Sequence, residues 1–144
     1  MKRKVLVAED EAGVLELMVG SLEREGFKVF TVGRGLELLN RARALLPDLI
    51  ILDLLLPDID GLAVCQILRR LPSTASIPII LLTADGSDMQ AAGMENGVDD
   101  YLAKPFEAAE LALHVSTTLW RSQELDLRES GIVIERNTIQ GWLV

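Results

Sequence analysis

Short, nearly continuous apolar runs alternate along this chain with longer stretches in which apolar residues return every three or four positions. The runs fall at Lys4–Ala8, Lys28–Val32, Asp48–Leu52, Ile77–Leu82 and Asp100–Ala103. The strongest, LIIL at 49–52 and IPIILL at 77–82, show no polar alternation. A strand with one wet face alternates, so unbroken runs predict strands covered on both faces, as in a parallel sheet flanked by helices. Between them, Val14, Leu15, Met18 and Leu22 share one helical face, with Gly26 placed to end the helix. Leu36, Leu39, Ala42, Leu45 and Leu46 form a second such face, stopped by Pro47. Leu62, Cys65, Ile67, Leu68 and Leu71 form a third, stopped by Pro72. A weaker pattern covers Met89–Asn96, and Glu107–Trp120 makes a fifth helix, which the charged stretch Arg121–Leu127 is expected to prolong. Five strand–helix alternations predict a doubly wound α/β domain with a parallel five-stranded sheet.

The last residues break this rhythm. Gly131–Glu135 and Ile139–Val144 read as two short strands about a turn at Arg136-Asn137-Thr138. An isolated two-stranded hairpin is marginal in water, so such a tail must dock on something. The expected division is a main domain over residues 1–122 and a tail over 123–144, either a hairpin or the start of an output domain.

Composition narrows the possibilities. Of 144 residues, 49% are hydrophobic but only 4% aromatic, so the core must be aliphatic. The formal net charge is -8, which argues against nucleic-acid binding by this segment, because phosphate backbones select basic surfaces. One cysteine, Cys65, excludes an internal disulfide and fits a reducing compartment. No apolar stretch is long enough to span a bilayer, and the apolar run after Lys2-Arg3-Lys4 is too short for a signal peptide, so the expected setting is the cytoplasm, with no membrane partner.

Ligands of open α/β sheets bind at the carboxyl ends of the strands. There the first run ends on Glu9 and Asp10, the third on Asp53, the fourth on Thr83 and the fifth on Lys104. Clustered carboxylates attract a hard dication, and few protein ligands completed by water and phosphate is the habit of Mg²⁺. A carboxylate is also a nucleophile toward phosphorus, giving an acyl phosphate, while an ammonium and a hydroxyl hold other phosphoryl oxygens. Taken singly, each residue has a plainer reading. Glu9-Asp10 serves equally well as a helix N-cap with a first-turn acid. Asp58 and Asp60 shape a loop and cap the third helix, without the spacing of a calcium loop. Thr83 satisfies backbone, Tyr101 is half-buried packing, Cys65 is core, and His114 lies at the surface or an interface.

Together, VLVAEDEAGV, DLIILDLLLPDIDG, IPIILLTA and GVDDYLAKPF resemble, in order, the motifs of response-regulator receiver domains of two-component signalling. The resemblance covers roughly residues 3–121. It implies a flavodoxin-like (βα)5 sheet of strand order 2-1-3-4-5, with Asp53 as phosphoacceptor. By the same resemblance Asp10, Asp53 and the Leu55 backbone carbonyl ligate Mg²⁺, and Glu9 acts through water. Lys104 pairs with the acyl phosphate, Thr83 is the switch hydroxyl and Tyr101 the aromatic that changes rotamer. The Lys104–Pro105 bond is expected to be cis. The implied function is a switch driven by a histidine kinase or phosphotransfer protein, catalysing only its own phosphoryl transfer and slow dephosphorylation.

The DDYLAKPF stretch is closest to the subgroup with winged-helix DNA-binding outputs, which implies a homodimer through the fourth helix, fifth strand and fifth helix. That subgroup sets basic residues against acids such as Asp99 and Asp100. Here His114 and Ser116 stand where arginines are common, and Asp85–Ala92 holds no Lys or Arg, so those salt bridges cannot all form. Two rivals fit less well. An aspartyl phosphatase of the haloacid-dehalogenase kind wants an acid two residues past its nucleophile, where this chain has Leu55. A flavodoxin-like electron carrier wants a Ser/Thr/Gly phosphate loop, where this chain has AEDEAG.

Overall fold

The computed structural model describes residues 2–84, 97–129 and 131. Five strands form one parallel sheet: β1 (Lys4–Ala8), β2 (Lys28–Val32), β3 (Leu49–Asp53), β4 (Ile79–Thr83) and β5 (Asp100–Ala103). Their spatial order is β2-β1-β3-β4-β5, as the resemblance implies. The register aligns Ala8 with Leu52, Asp53 with Leu82 and Thr83 with Ala103, so the carboxyl ends of β1, β3, β4 and β5 form one edge.

The described helices are α1 (Ala12–Arg24), α2 (Gly35–Leu45), α3 (Gly61–Arg70) and α4 (Ala108–Glu129). The helix expected at 89–96 and the strands expected beyond 131 lie outside the described residues. The last helix, α4, takes in the charged stretch from 121 and runs through the expected 122/123 boundary.

Every residue of β3 and β4 is buried. Odd and even positions therefore feed opposite cores, which explains why these runs lack polar alternation. Leu6, Ile50, Leu52, Ile79 and Leu81 pack toward α2 and α3 with Leu38, Val64 and Leu68. Val5, Val7, Leu49, Ile51, Ile80 and Leu82 pack toward α1 and α4 with Met18, Leu22, Leu111 and Val115. Each such side chain contributes about 1.5–3 kcal/mol when fully buried.

Several boundaries differ from the sequence expectation by one or two residues, β3 for instance running Leu49–Asp53, and backbone chemistry explains two of them. β4 starts at Ile79, because Pro78 has no N–H to enter a ladder, although its carbonyl still accepts from the Ile50 amide at 3.0 Å. The second helix stops at Leu45, since Leu46 takes a left-handed conformation (φ 48°) just before Pro47, which disfavours a helical predecessor.

Candidate functional site

Parallel strands deliver Glu9, Asp10, Asp53, Thr83 and Lys104 to one edge of the sheet, each at or just beyond a strand end. Carboxylate oxygens of Glu9, Asp10 and Asp53 all lie within 4.8 Å of one another. Asp10 is exposed and Glu9 and Asp53 are buried, so the cluster has one wet side. The Lys104 ammonium meets Asp53 Oδ2 at 2.6 Å and Glu9 Oε2 at 2.8 Å, with Glu11 Oε2 at 3.8 Å. Three acids thus meet the Lys104 ammonium, and Asp10 lies beside two of them.

Protonation reflects this crowding. Burial raises the Glu9 carboxyl, against hydrogen bonds from Lys104 and the Glu11 amide that lower it. Burial works against the Lys104 ammonium, but its hydrogen bonds to Asp53 and Glu9 outweigh that and raise it. Lys104 therefore stays charged and holds the two buried acids together.

Neither Glu9 nor Asp10 caps α1. The N-cap is Glu11, whose side chain makes no capping bond, and the Glu11 amide donates to Glu9 Oε1 at 3.1 Å. The structure thus sides with the cluster over the capping alternative. Asp53 is held by its own loop, with Oδ1 accepting from the Leu55 amide at 3.0 Å. Gly61 starts α3 directly behind it. A Cβ there would lie 2.7 Å from the Asp53 carbonyl oxygen and 2.8 Å from Leu54 Cα, so only glycine fits. The Leu55 side chain is 72% exposed beside the site and offers no polar group to a water.

Thr83 is buried, and its hydroxyl has no hydrogen-bond partner among the described residues. This leaves an unsatisfied buried hydroxyl at the end of the strand next to Asp53, able to donate to an acceptor placed there. Tyr101 is half-buried on the α2–α3 side, and burial raises its phenol. The Lys104–Pro105 peptide is cis.

Three local partners escaped the sequence reading. Asp60 caps α3, accepting from the Leu62 amide at 2.8 Å, but Asp58 caps α2 instead, accepting from Gly35 and Leu36 at 2.8 and 3.0 Å. His114 Nδ1 lies 2.6 Å from Asp100 Oδ2 in the same chain. Asp99 is bound by Arg69 of α3 at 2.7 Å. Only the i to i+2 spacing of Asp60 and Leu62 was visible locally; the other partners are separated by 14 to 30 residues. Cys65 is buried, and burial pushes its thiol up to about 11, which fits a core residue.

Comparison with known proteins bears on this geometry. The sequence profile described as "Response regulator receiver domain" matches residues 5–116. The chain is 43% identical over 143 residues to the phosphate regulon transcriptional regulatory protein PhoB of Rhizobium meliloti (strain 1021), covering 96% of this chain and 63% of that protein. It is 38% identical over 125 residues to the DNA-binding response regulator MtrA of Mycobacterium tuberculosis (strain ATCC 25618 / H37Rv), covering 86% of this chain and 54% of that protein. The chain thus spans between about half and two thirds of the length of these curated relatives. Among solved structures, it superposes on the chemotaxis response regulator CheY4 of Vibrio cholerae with a TM-score of 0.78 at 25% identity, covering 82% of this chain and 99% of that one. It also superposes on the receiver domain of a sensor histidine kinase from Pseudomonas aeruginosa PAO1 with a TM-score of 0.76 at 28% identity, covering 83% of this chain and 98% of that one. That neighbour has a magnesium ion coordinated in its active-site cleft.

Proposed function

This chain belongs to the response regulator receiver domain family, and we propose that it is a phosphorylation-operated switch whose phosphoacceptor is Asp53. The observation that carries this reading is the Asp53 carboxylate itself, held between the Lys104 ammonium at 2.6 Å and the Leu55 amide at 3.0 Å, with two further acids alongside.

In this reading an Asp53 oxygen attacks phosphorus on a phosphohistidine of a histidine kinase or phosphotransfer protein, or on acetyl phosphate. The new O–P bond forms as the N–P or O–P bond to the donor breaks, and the electron pair leaves with the imidazole or acetate. Lys104 stays beside the acyl phosphate as a point charge on a phosphoryl oxygen. The Thr83 hydroxyl turns to donate to another, which relieves its unsatisfied burial, and Tyr101 follows into the space behind it. These moves favour one of two pre-existing arrangements of the face made by the fourth predicted helix, β5 and α4, a population shift that an output domain or partner reads.

The donor set fits Mg²⁺: hard carboxylate oxygens, one exposed flank for water and phosphate, and negative charge in excess over one ammonium. Asp10, Asp53 and the Leu55 carbonyl would hold the ion, with Glu9 acting through water. When bound, the ion neutralises charge on the transferring phosphoryl group. We also assign residues 1–122 to the receiver and 123–144 to a tail, a hairpin or the start of an output domain, although α4 carries on through that boundary to Glu129. A homodimer would use the fourth predicted helix at 89–96, β5 and α4, where Asp99 and Asp100 are already paired within the chain with Arg69 and His114.

The test is incubation with Mg²⁺ and acetyl phosphate, followed by intact mass over time. One phosphoryl adduct per chain is expected, absent when Mg²⁺ is chelated. Because Leu55 cannot orient a water, the adduct should decay more slowly than in Leu55→Asn; decay as fast as in that variant would contradict the slow-dephosphorylation assignment.

A further inference from the structure

The loop between β3 and α3, residues 54–60, carries the Leu55 carbonyl and is fastened at two places. Its base closes on itself. Leu55 and Asp60 form an antiparallel bridge, and the Gly61 amide donates to the Leu54 carbonyl at 2.8 Å. Its tip is fastened to a different element altogether. Asp58 Oδ1 accepts from the Gly35 amide at 2.8 Å, and Oδ2 accepts from the Leu36 amide at 3.0 Å.

Those two amides open α2, where N–H groups lack intrahelical partners. The helix's own N-cap, Arg34, makes no side-chain capping bond, so the cap comes from 22 residues away along the chain. The contact is keyed by shape as well. A Cβ on Gly35 would lie 2.2 Å from Ile59 Cγ2 and 2.9 Å from Val64 Cγ2, so the loop tip occupies the space that glycine leaves. The hydrogen bond from Leu36, more than that from Gly35, lowers the Asp58 carboxyl, and a charged acid suits a helix N-terminus.

We propose that Asp58 is a positioning residue for the acidic site, fixing the Leu55 carbonyl by tying the tip of the β3–α3 loop to α2. The proposal rests on the reading of Leu55 as a ligand given above. Leu55 belongs to the base itself, paired with Asp60 and donating its amide to Asp53 Oδ1 at 3.0 Å, while Asp58 holds the far end of the same short loop to α2. With both ends held, its backbone has one orientation. Without Asp58 the tip is released, and the base pairing of Leu55 with Asp60, closed by the Gly61 amide on the Leu54 carbonyl, opens more often. Mg²⁺ demands near-ideal octahedral geometry, so a wandering carbonyl lowers affinity without any change to the three carboxylates. This makes α2, which contributes no residue to the site, its mechanical support.

The test uses the whole chain, ¹⁵N-labelled, as wild type, Asp58→Ala, Asp58→Asn and Asp48→Ala. Asp48 provides the control: its Oδ2 accepts from the Lys4 amide at 2.7 Å, before β3 and away from the site loop. Amide exchange is followed by NMR without metal, and Mg²⁺ affinity by titration of the amide shifts. In Asp58→Ala the Leu55 and Gly61 amides should exchange about tenfold faster. Its Mg²⁺ Kd should rise by about tenfold, the cost typical of losing a group that orients a ligand. Asp58→Asn, which keeps one acceptor oxygen, should fall between, and Asp48→Ala should match wild type in both. A Kd for Asp58→Ala equal to that of Asp48→Ala overturns the positioning role, whatever the exchange rates. A wild-type chain whose shifts do not respond to Mg²⁺ overturns the reading of the site itself.

Discussion

Lys104 and Asp58 show how differently two charged residues can serve one site. Lys104 sits inside it, bonded to both buried acids, and the residue was legible because it ends the fifth apolar run. Asp58 acts from outside, and its role was not legible: PDID reads as loop punctuation until α2 is seen beside it. Glu9 and Asp10 divide in the same way. They are adjacent in sequence, but one is buried beneath Lys104 and the other faces solvent, a distinction set by alternation at the end of β1. The Asp58 carboxyl makes a direct prediction about acid. Its folded-state pKa is lowered from an ordinary 3.8, so its contribution is present above that pH and is lost as pH falls below it toward the folded value. Melting temperature measured below pH 4 should therefore fall more steeply for wild type than for Asp58→Asn; parallel profiles would contradict the cap.

At the scale of elements, the unbroken apolar runs identified the strands, because burial on both faces leaves its mark in every residue of β3 and β4. Backbone chemistry moved the start of β4 past Pro78 and the end of α2 back to Leu45, before Pro47. The clamp made by Arg69 was hidden, since an arginine near the end of a helix usually reads as a solvated charge. Its guanidinium donates to the Gly97, Ala75 and Ile77 carbonyls and to Asp99, whose Oδ2 also accepts from the Ile79 amide. One side chain thus ties α3 to the approaches of β4 and β5. Removing it strands several acceptors, so Arg69→Ala should cost on the order of 2–4 kcal/mol. Urea denaturation at neutral pH measures this; a loss below about 0.5 kcal/mol, the size expected of a surface substitution, would contradict the clamp.

For the whole molecule, the parallel topology brings four strand ends and their polar residues to one edge, while the central strands β3 and β4 are apolar up to that edge. Among the described residues the site is where like charges, Glu9 and Asp53, are buried together, and the chain as a whole already carries a net charge of -8. Anything that binds only the folded cluster stabilises the entire domain by mass action. Mg²⁺ at a hundred times its Kd should add about 2.7 kcal/mol of stability. Calorimetric melting with and without Mg²⁺ should show a rise in Tm that is largely lost in Asp10→Ala, whereas an equal rise in that variant would place the ion elsewhere.

The most direct test of the account is to locate the phosphoryl group. After phosphorylation with acetyl phosphate and Mg²⁺, borohydride reduces the acyl phosphate, and peptide mapping then reports which carboxylate carried it. The account predicts modification of Asp53 alone and none in Asp53→Asn. Modification at Asp10, Glu9 or any other residue of the wild-type chain, or an adduct that persists in Asp53→Asn, would contradict it.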